Sequence, residues 1–481
     1  MKPQEYTSHD ATALARLVKE GQVQPIELVD AAIERIQAIN GALNAVVIED
    51  FTAARTSAQQ VSHDCALPGV PFLAKDMNVE VAGLPLTASC RWLADVPPAT
   101  QDAPLASRWR AAGLAILGRT NTPEWAGEFV TEPTWRGPTL NPWDLTRSPG
   151  GSSGGAAAAV ASGMVPMAHG TDSGGSIRVP AACCGLVGLK PSRGWVPVGP
   201  HFDELAGGFN SDHVLTRSVR DCALMLDLTV GPEWGTRQPL ARPTTSFRQV
   251  LNASLHPLRI GLAMASPGGS QPQDEIGAVV EEVATWLARA GHRVQPFHYP
   301  AATDIGEQAG VIWMTAIAEE IDDWTARVGR APLPAELEAL TRACLLVGRR
   351  ATAVDYVKAR RLMSQATREM ARAFESIDVL LLPTTASLPP KSGEIDGRTE
   401  AFNLDRWNEQ SYRFAPYTEL FNVTGQPAIS LPLGMSASRL PIGVQFAAPL
   451  GEDGRLLQLA AWCERERPWE QRLATLRARY G

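Results

Sequence analysis

Two stretches of this chain set a serine among glycines: Gly150-Gly151-Ser152-Ser153-Gly154 and Asp172-Ser173-Gly174-Gly175-Ser176-Ile177-Arg178. A serine hydroxyl attacks poorly unless a base beside it takes the proton, so the chemistry open to these residues depends on finding that base. Eight histidines are available, but none lies in a motif that singles it out, and all are expected to be structural. Lysine says more. Only six of the 44 basic residues are Lys, so arginine supplies positive charge almost everywhere else. Lys75 ends the run Gly69-Val-Pro-Phe-Leu-Ala-Lys75, an apolar strand that would desolvate its amine. Desolvation disfavours the ammonium form and can leave a free base near neutral pH, which a guanidinium never becomes. Asp76 would act in the opposite sense, but consecutive strand residues face opposite sides of a sheet.

Rival readings of the glycine-rich stretches fail on context. Gly150–Gly154 matches the G-x-S-x-G nucleophile elbow in form, yet Asp-Leu-Thr-Arg-Ser-Pro precedes it where a hydrophobic strand is needed. The glycine spacing of a phosphate loop is also present, but Ala156-Ala157 stand where Lys and Ser/Thr belong. Seven scattered cysteines suit reduced thiols, and the adjacent Cys183-Cys184 read as small buried hydrophobes, so neither a metal site nor a cofactor is expected. A net charge of −7 offers no basic stripe for nucleic acid or a membrane surface. The stretch 148–168 is made mainly of Gly, Ser and Ala rather than Leu and Ile, and MKPQEYTSHDATALARL lacks the order of a secretory signal. A cytoplasmic protein, monomeric or homodimeric, acting on a small molecule is the expectation.

The elements that must position these residues alternate between strand and helix. Helices open the chain around Leu14–Val18 and from Pro25; strands follow at 45–48, 70–75 and 114–117, with helices over 52–61 and 103–112. Beyond the serines, helix 220–228, strand 258–263, helix 275–290 and strand 294–297 continue the alternation, and late strands fall at 378–382, 428–433 and 442–447. Residues 231–247 read as a surface connection. Such alternation predicts an α/β fold: one large domain with a mixed, mostly parallel β-sheet between helices. Its core spans about 65–230 with late strands over 375–450, and a helical insertion over about 300–415 forms the substrate pocket. Ser152 and Ser176 are separated by a helix-like 156–161 and a strand-like 165–168, so the chain can run out and return to bring both loops together.

The stretch Gly150–Lys190, GGSSGGAAAAVASGMVPMAHGTDSGGSIRVPAACCGLVGLK, resembles the signature of the amidase signature family, whose members use a Ser-Ser-Lys triad. Lys75-Asp76 upstream and FNVTGQPAISLPLG at 421–434 extend the resemblance over essentially the whole chain. It implies Ser176 as nucleophile, Ser152 as bridging serine with a cis peptide, and Lys75 as base. Backbone N–H groups of Ser173, Gly174, Gly175 and Ser176 would form the oxyanion hole. Ser153 would support the site, and Asp172 with Arg178 would brace the loop. TNTPEW (120–125), TEPTWRGPTLNPWDLTRSPGG (131–151) and MAHGTD (167–172) are similar to bacterial amidases of the aminohexanoate-cyclic-dimer hydrolase, aryl acylamidase and urethanase type. That implies small, uncharged amides, carbamates or esters in a pocket bordered by the loop near 123–147, with Trp125, Trp135, Trp313 and Trp407 as candidate lining. Two alternatives stay open: the glutamine-hydrolysing subunit of a tRNA amidotransferase, and a non-catalytic binding protein on an amidase scaffold. Ser-Asp-His-Val-Leu-Thr before Arg217 departs from the pattern of the former.

Overall fold

Apolar runs bounded by turn residues become the strands of one sheet. They are β1 (Val46–Glu49), β2 (Pro71–Lys75), β3 (Ala115–Thr120), β4 (Met167–Asp172), β5 (Val187–Lys190), β6 (Ser211–Thr216), β7 (Arg259–Leu262), β8 (Arg293–Pro296), β9 (Val379–Pro383), β10 (Ala428–Met435) and β11 (Pro441–Ala447). The computed structural model describes residues 1–201, 204–236, 240 and 242–481, so positions 237–239 and 241 of the expected surface connection lie outside the described residues. Across the sheet the order is β1-β3-β2-β4-β6-β5-β10-β11-β9-β7-β8.

β9 shows how the sheet is buried. Val379 and Leu381 join one apolar cluster, Leu380 and Leu382 a second, because alternate side chains leave opposite faces. Val280, Val283 and Leu287 of the helix Asp274–Arg289 complete the first cluster there. Ala309 and Ile312 of the helix Gly306–Val328, with Met363, Ala366 and Met370 of the helix Ala353–Ala373, complete the second. Helices therefore cover both faces of a single large α/β domain with a mixed sheet, as expected. Among the described residues, no helix is long and apolar enough to cross a membrane.

The expected parallel majority is corrected. Of the ten neighbouring pairs, only β3–β2, β2–β4, β9–β7 and β7–β8 are parallel; the other six are antiparallel. Parallel neighbours need a crossover, whereas β10 and β11 are joined by the short turn over 436–440 and form a hairpin. Two strands in the centre escaped the sequence reading. β5 is only Val-Gly-Leu-Lys, and β6 begins Ser-Asp-His, so neither shows an apolar run. β6 lies between β4 and β5 and is antiparallel to both.

The site depends on the pairing of β2 with β4. Phe72 pairs with Met167 and Leu73 with Ala168 in parallel, so the ends of both strands, Lys75 and Thr171, emerge side by side. The helix Gly154–Ser162 packs against both strands and is buried along its whole length. Its residues are Gly, Ala, Val and Ser alone, and such small side chains let the helix backbone approach the sheet closely.

Candidate active site

Lys75 is fully buried, and its Nζ lies 2.7 Å from Ser152 Oγ and 2.7 Å from Thr171 Oγ1. Burial pulls the amine down from 10.5 to about 7, against the opposing charges of Asp212 and Asp172. A neutral amine has two N–H groups and one lone pair, so it can donate to Thr171 and accept from the Ser152 hydroxyl at once. Asp76 does not undo this. Its carboxylate accepts the backbone N–H of Thr87 at 2.8 Å and of Ser89 at 3.2 Å, is bonded by the Thr87 hydroxyl, and stands 3.9 Å from Arg119 Nε.

The two serine loops touch beside Lys75. Ser153 N–H donates to the Ser176 carbonyl at 3.2 Å, and the Ser153 hydroxyl both donates to the Thr171 carbonyl and accepts from its N–H, each at 3.2 Å. The Gly151-Ser152 peptide is cis. Gly151 lies against the backbone of 128–130, where a Cβ would come within 2.6 Å of the Glu128 carbonyl oxygen. Gly175 has φ 143°, and a Cβ there would collide with the Thr418 hydroxyl, which bonds to the Gly174 carbonyl. Among the described residues, the backbone N–H groups of 173–176 donate to no protein acceptor, whereas those of Ile177 and Arg178 donate to Asp172 Oδ2 at 3.1 and 3.3 Å. Ser176 is 8% exposed, and no hydrogen bond joins its hydroxyl to that of Ser152 among the described residues.

A buried ion pair holds the loop that carries Ser176. Arg178 grips Asp172 through Nε at 3.0 Å and Nη2 at 2.8 Å, and reaches the Thr418 carbonyl and Gln445 Oε1, both at 2.8 Å. Asn422 Nδ2 donates to the Asp172 carbonyl at 2.7 Å and its Oδ1 at 2.8 Å. Burial alone would raise the Asp172 carboxyl; the Arg178 charge and these hydrogen bonds win and hold it at about 2. A second chain ties the loop to the strand that carries the amine. Ser173 Oγ donates to Asn210 Oδ1 at 3.0 Å, Asn210 Nδ2 to Asp212 Oδ2 at 2.6 Å, and Asp212 Oδ1 lies 2.9 Å from His169 Nε2. His169 Nδ1 accepts the Lys75 N–H at 3.2 Å, which puts the ring proton on Nε2. Both ring nitrogens of His169 are thus engaged by the protein itself.

Ser173, Gly174 and Ser176 open onto a cavity of about 520 Å³. Hollows of similar or larger size beside Arg361–Arg372 and beside Asp50–Gly113 contain none of these groups. Phe129, Phe209, Met314 and Leu404 make its walls apolar, and Trp313 and Trp407 face it with rings parallel to within 5° at 6.3 Å between centroids. Trp407 Nε1 donates to Glu128 Oε1 at 2.9 Å, and burial raises that carboxyl to about 8. Of the four tryptophans expected in the lining, Trp125 and Trp135 lie outside it: Trp125 packs in the core, and the Trp135 ring is capped by Arg136 at 3.7 Å.

The nine residues expected to form the catalytic, oxyanion-hole and supporting groups, namely Lys75, Ser152, Ser153, Asp172, Ser173, Gly174, Gly175, Ser176 and Arg178, lie together in this one place. Thr171, Asp212, Asn210, Thr418 and Asn422 were not anticipated. Thr171 and Asn422 lie inside the quoted stretches MAHGTD and FNVTGQPAISLPLG, so a signal for them was present. Asp212 and Asn210 belong to or adjoin β6, the unforeseen strand.

Known proteins match the chain over nearly its whole length. The family model described as Amidase matches residues 27–457. The chain is 39% identical to a 6-aminohexanoate-cyclic-dimer hydrolase of Paenarthrobacter ureafaciens over 96% of each chain, and to one of Pseudomonas sp. (strain NK87) to the same extent. A solved 6-aminohexanoate cyclic dimer hydrolase in complex with substrate superposes with TM-score 0.91 at 36% identity, covering 98% of this chain and 99% of that one. A bacterial aryl acylamidase of the amidase signature family superposes with TM-score 0.89 at 28% identity, covering 98% of each.

Proposed function

The chain belongs to the amidase family, and from that premise we propose that it hydrolyses small amides through an ester on Ser176, with Lys75 as base and Ser152 as proton relay. The observation that carries the reading is the buried Lys75 amine, drawn down to about 7 and 2.7 Å from the Ser152 hydroxyl. Lys75 takes the Ser152 proton as Ser152 takes that of Ser176. The Ser176 oxygen then bonds to the substrate carbonyl carbon, and the carbonyl oxygen becomes an anion. The unengaged N–H groups of 173–176 are suited to receive it, and the bonds from Asp172, Arg178 and Thr418 hold them in place. Returning the proton through Ser152 to the nitrogen lets the amine leave, and water releases the acid by the same route. The Ser152 and Ser176 hydroxyls would come into hydrogen bond as substrate binds, since catalytic hydrogen bonds tighten when substrate closes around them.

Its substrates on this reading are linear or cyclic nylon-type amides and aryl amides, with carbamates and esters within reach. Support comes from the apolar walls of the cavity and from relatives named for a cyclic amide dimer and for aryl acylamides. Glutamine is disfavoured: no Lys, Arg or His borders the cavity among the described residues, so no cationic side chain there would pair with its carboxylate. The test is a panel of anilides, nylon-type amides, carbamates and glutamine, with mass spectrometry of the enzyme after rapid quench. The expected result is a mass increase equal to the acyl group on Ser176, absent in Ser176→Ala; turnover by Ser176→Ala equal to the parent would end the reading.

A further inference from the structure

One wall of the cavity carries polar groups that the steps above leave idle. The Tyr412 hydroxyl donates to Glu419 Oε2 at 2.9 Å, and both residues border the cavity that holds Ser176. Glu419 Oε1 has no hydrogen-bond or ion-pair partner among the described residues. Glu419 directly follows Thr418, whose hydroxyl bonds to the Gly174 carbonyl, so this carboxyl stands close to the nucleophile loop. Ser411, also in the lining, is 1% exposed, and its Oγ has no partner. A buried hydroxyl without a partner is uncommon and marks a place where a ligand can supply the missing bond, and the part-exposed Glu419 carboxyl borders the same cavity. The remaining charged residues that border the cavity are Glu128 and Glu307, both acidic. With no cationic side chain in the lining, among the described residues, to pair with an anion, the cavity favours a cationic donor whose own hydration these carboxyl and hydroxyl oxygens replace.

We infer that Glu419, oriented by Tyr412, receives the ammonium group of an aminoacyl substrate, so that the preferred amides carry a primary amine several bonds from the carbonyl that Ser176 attacks. The inference rests on the amidohydrolase reading and narrows its substrate class to amides whose acyl part ends in an amine, with Glu419 as the group that selects them. A primary amine is protonated at neutral pH and offers three donors, enough for Glu419 Oε1, Ser411 Oγ and one further acceptor. Burial raises the Glu419 carboxyl to about 7, and an ammonium beside it would restore the charged form. The apolar stretch between the two ends of such a substrate would lie along Trp313 and Trp407.

The test compares two series of 4-nitroanilides with acyl chains of two to eight carbons or so, one ending in an amine and one in a methyl group. The expected result is that at one or two lengths the amine-ended member has kcat/KM at least about tenfold above its methyl partner. Glu419→Gln, which keeps the shape and the Tyr412 bond, should lower that ratio about tenfold. Tyr412→Phe should lower it by less, and serves if the Gln variant does not fold. A purely structural role would depress both series together and leave the ratio alone. A parent ratio near one at every length, or a ratio unchanged in both variants, overturns the inference while methyl-ended turnover leaves the amidohydrolase reading intact. Turnover of neither series removes both.

Discussion

Lys75 and Lys190 end two strands of one sheet, β2 and β5; both amines are fully buried, and burial lowers the proton affinity of each. Their neighbours differ. Lys75 Nζ meets two hydroxyls at 2.7 Å, and beyond them the glycine loops open onto a cavity. Lys190 Nζ donates to the Pro191 carbonyl at 2.7 Å; Arg178 adds to the effect of burial, while Asp172 and Asp453 oppose it. A carbonyl has no proton to yield, and a hydroxyl has one. A desolvated lysine is therefore no mark of a base by itself: it becomes one where its lone pair faces an exchangeable proton that leads to a substrate.

The largest expected effect separates the two lysines directly. Lys75→Met should lower kcat/KM on an anilide at least about a thousandfold, and Lys75→Arg should do nearly as badly, since a guanidinium keeps its proton. Lys190→Met should change kcat/KM by no more than about threefold and act on thermal stability instead. Equal losses at both positions would erase the contrast drawn here.

The next effect tests the brace that the two sites share through Asp172. Asp172→Ala would leave Arg178 buried without its partner, at a cost of about 3–5 kcal/mol in chemical denaturation, together with a large loss of turnover. Because the Asp172 carboxyl is held below its unfolded value, at about 2, this pair stabilises the fold above pH 4 or so. That contribution is lost as pH falls toward about 2.

A pH profile sharpens the comparison further. On the proposed mechanism Lys75 acts as a neutral amine, so kcat/KM should rise with pH through a limb near the amine's value of about 7 and level off above it. Thr171→Val removes an acceptor that favours the ammonium form, so the limb should move to lower pH by up to about one unit. An upward shift would contradict the role given to Thr171. The smallest effect belongs to the cavity wall: Trp313→Leu should raise KM for an anilide by only about two- to fivefold and leave the pH limb in place.

Much of this was legible along the chain. Glycine before each serine, Lys75 at the end of an apolar run, and the strand-helix alternation are local patterns, and local patterns report burial, stiffness and which turns a backbone can make. The helices Ala11–Lys19, Pro25–Leu43 and Asp274–Arg289 and the strand Val379–Pro383 fall within a few residues of where periodicity puts them. The polar β6 could not be read this way. With it went Asp212, the carboxylate that couples to His169 and acts on Lys75. Nor could periodicity tell Trp313 and Trp407, which face a cavity, from Trp125, which faces the core, because an apolar stripe looks the same toward either.

The amino-acid order alone thus determined the kinds of group available, their desolvation and the loops that carry them. Folding decided their company. Residues 75, 152, 171, 176 and 212 meet only because β2, β4 and β6 lie side by side, an order set by contacts between segments far apart in the chain. Lys75 finds its hydroxyls, on residues 77 and 96 positions away, only through that arrangement of strands, whereas the carbonyl that Lys190 meets belongs to Pro191, the next residue of the chain.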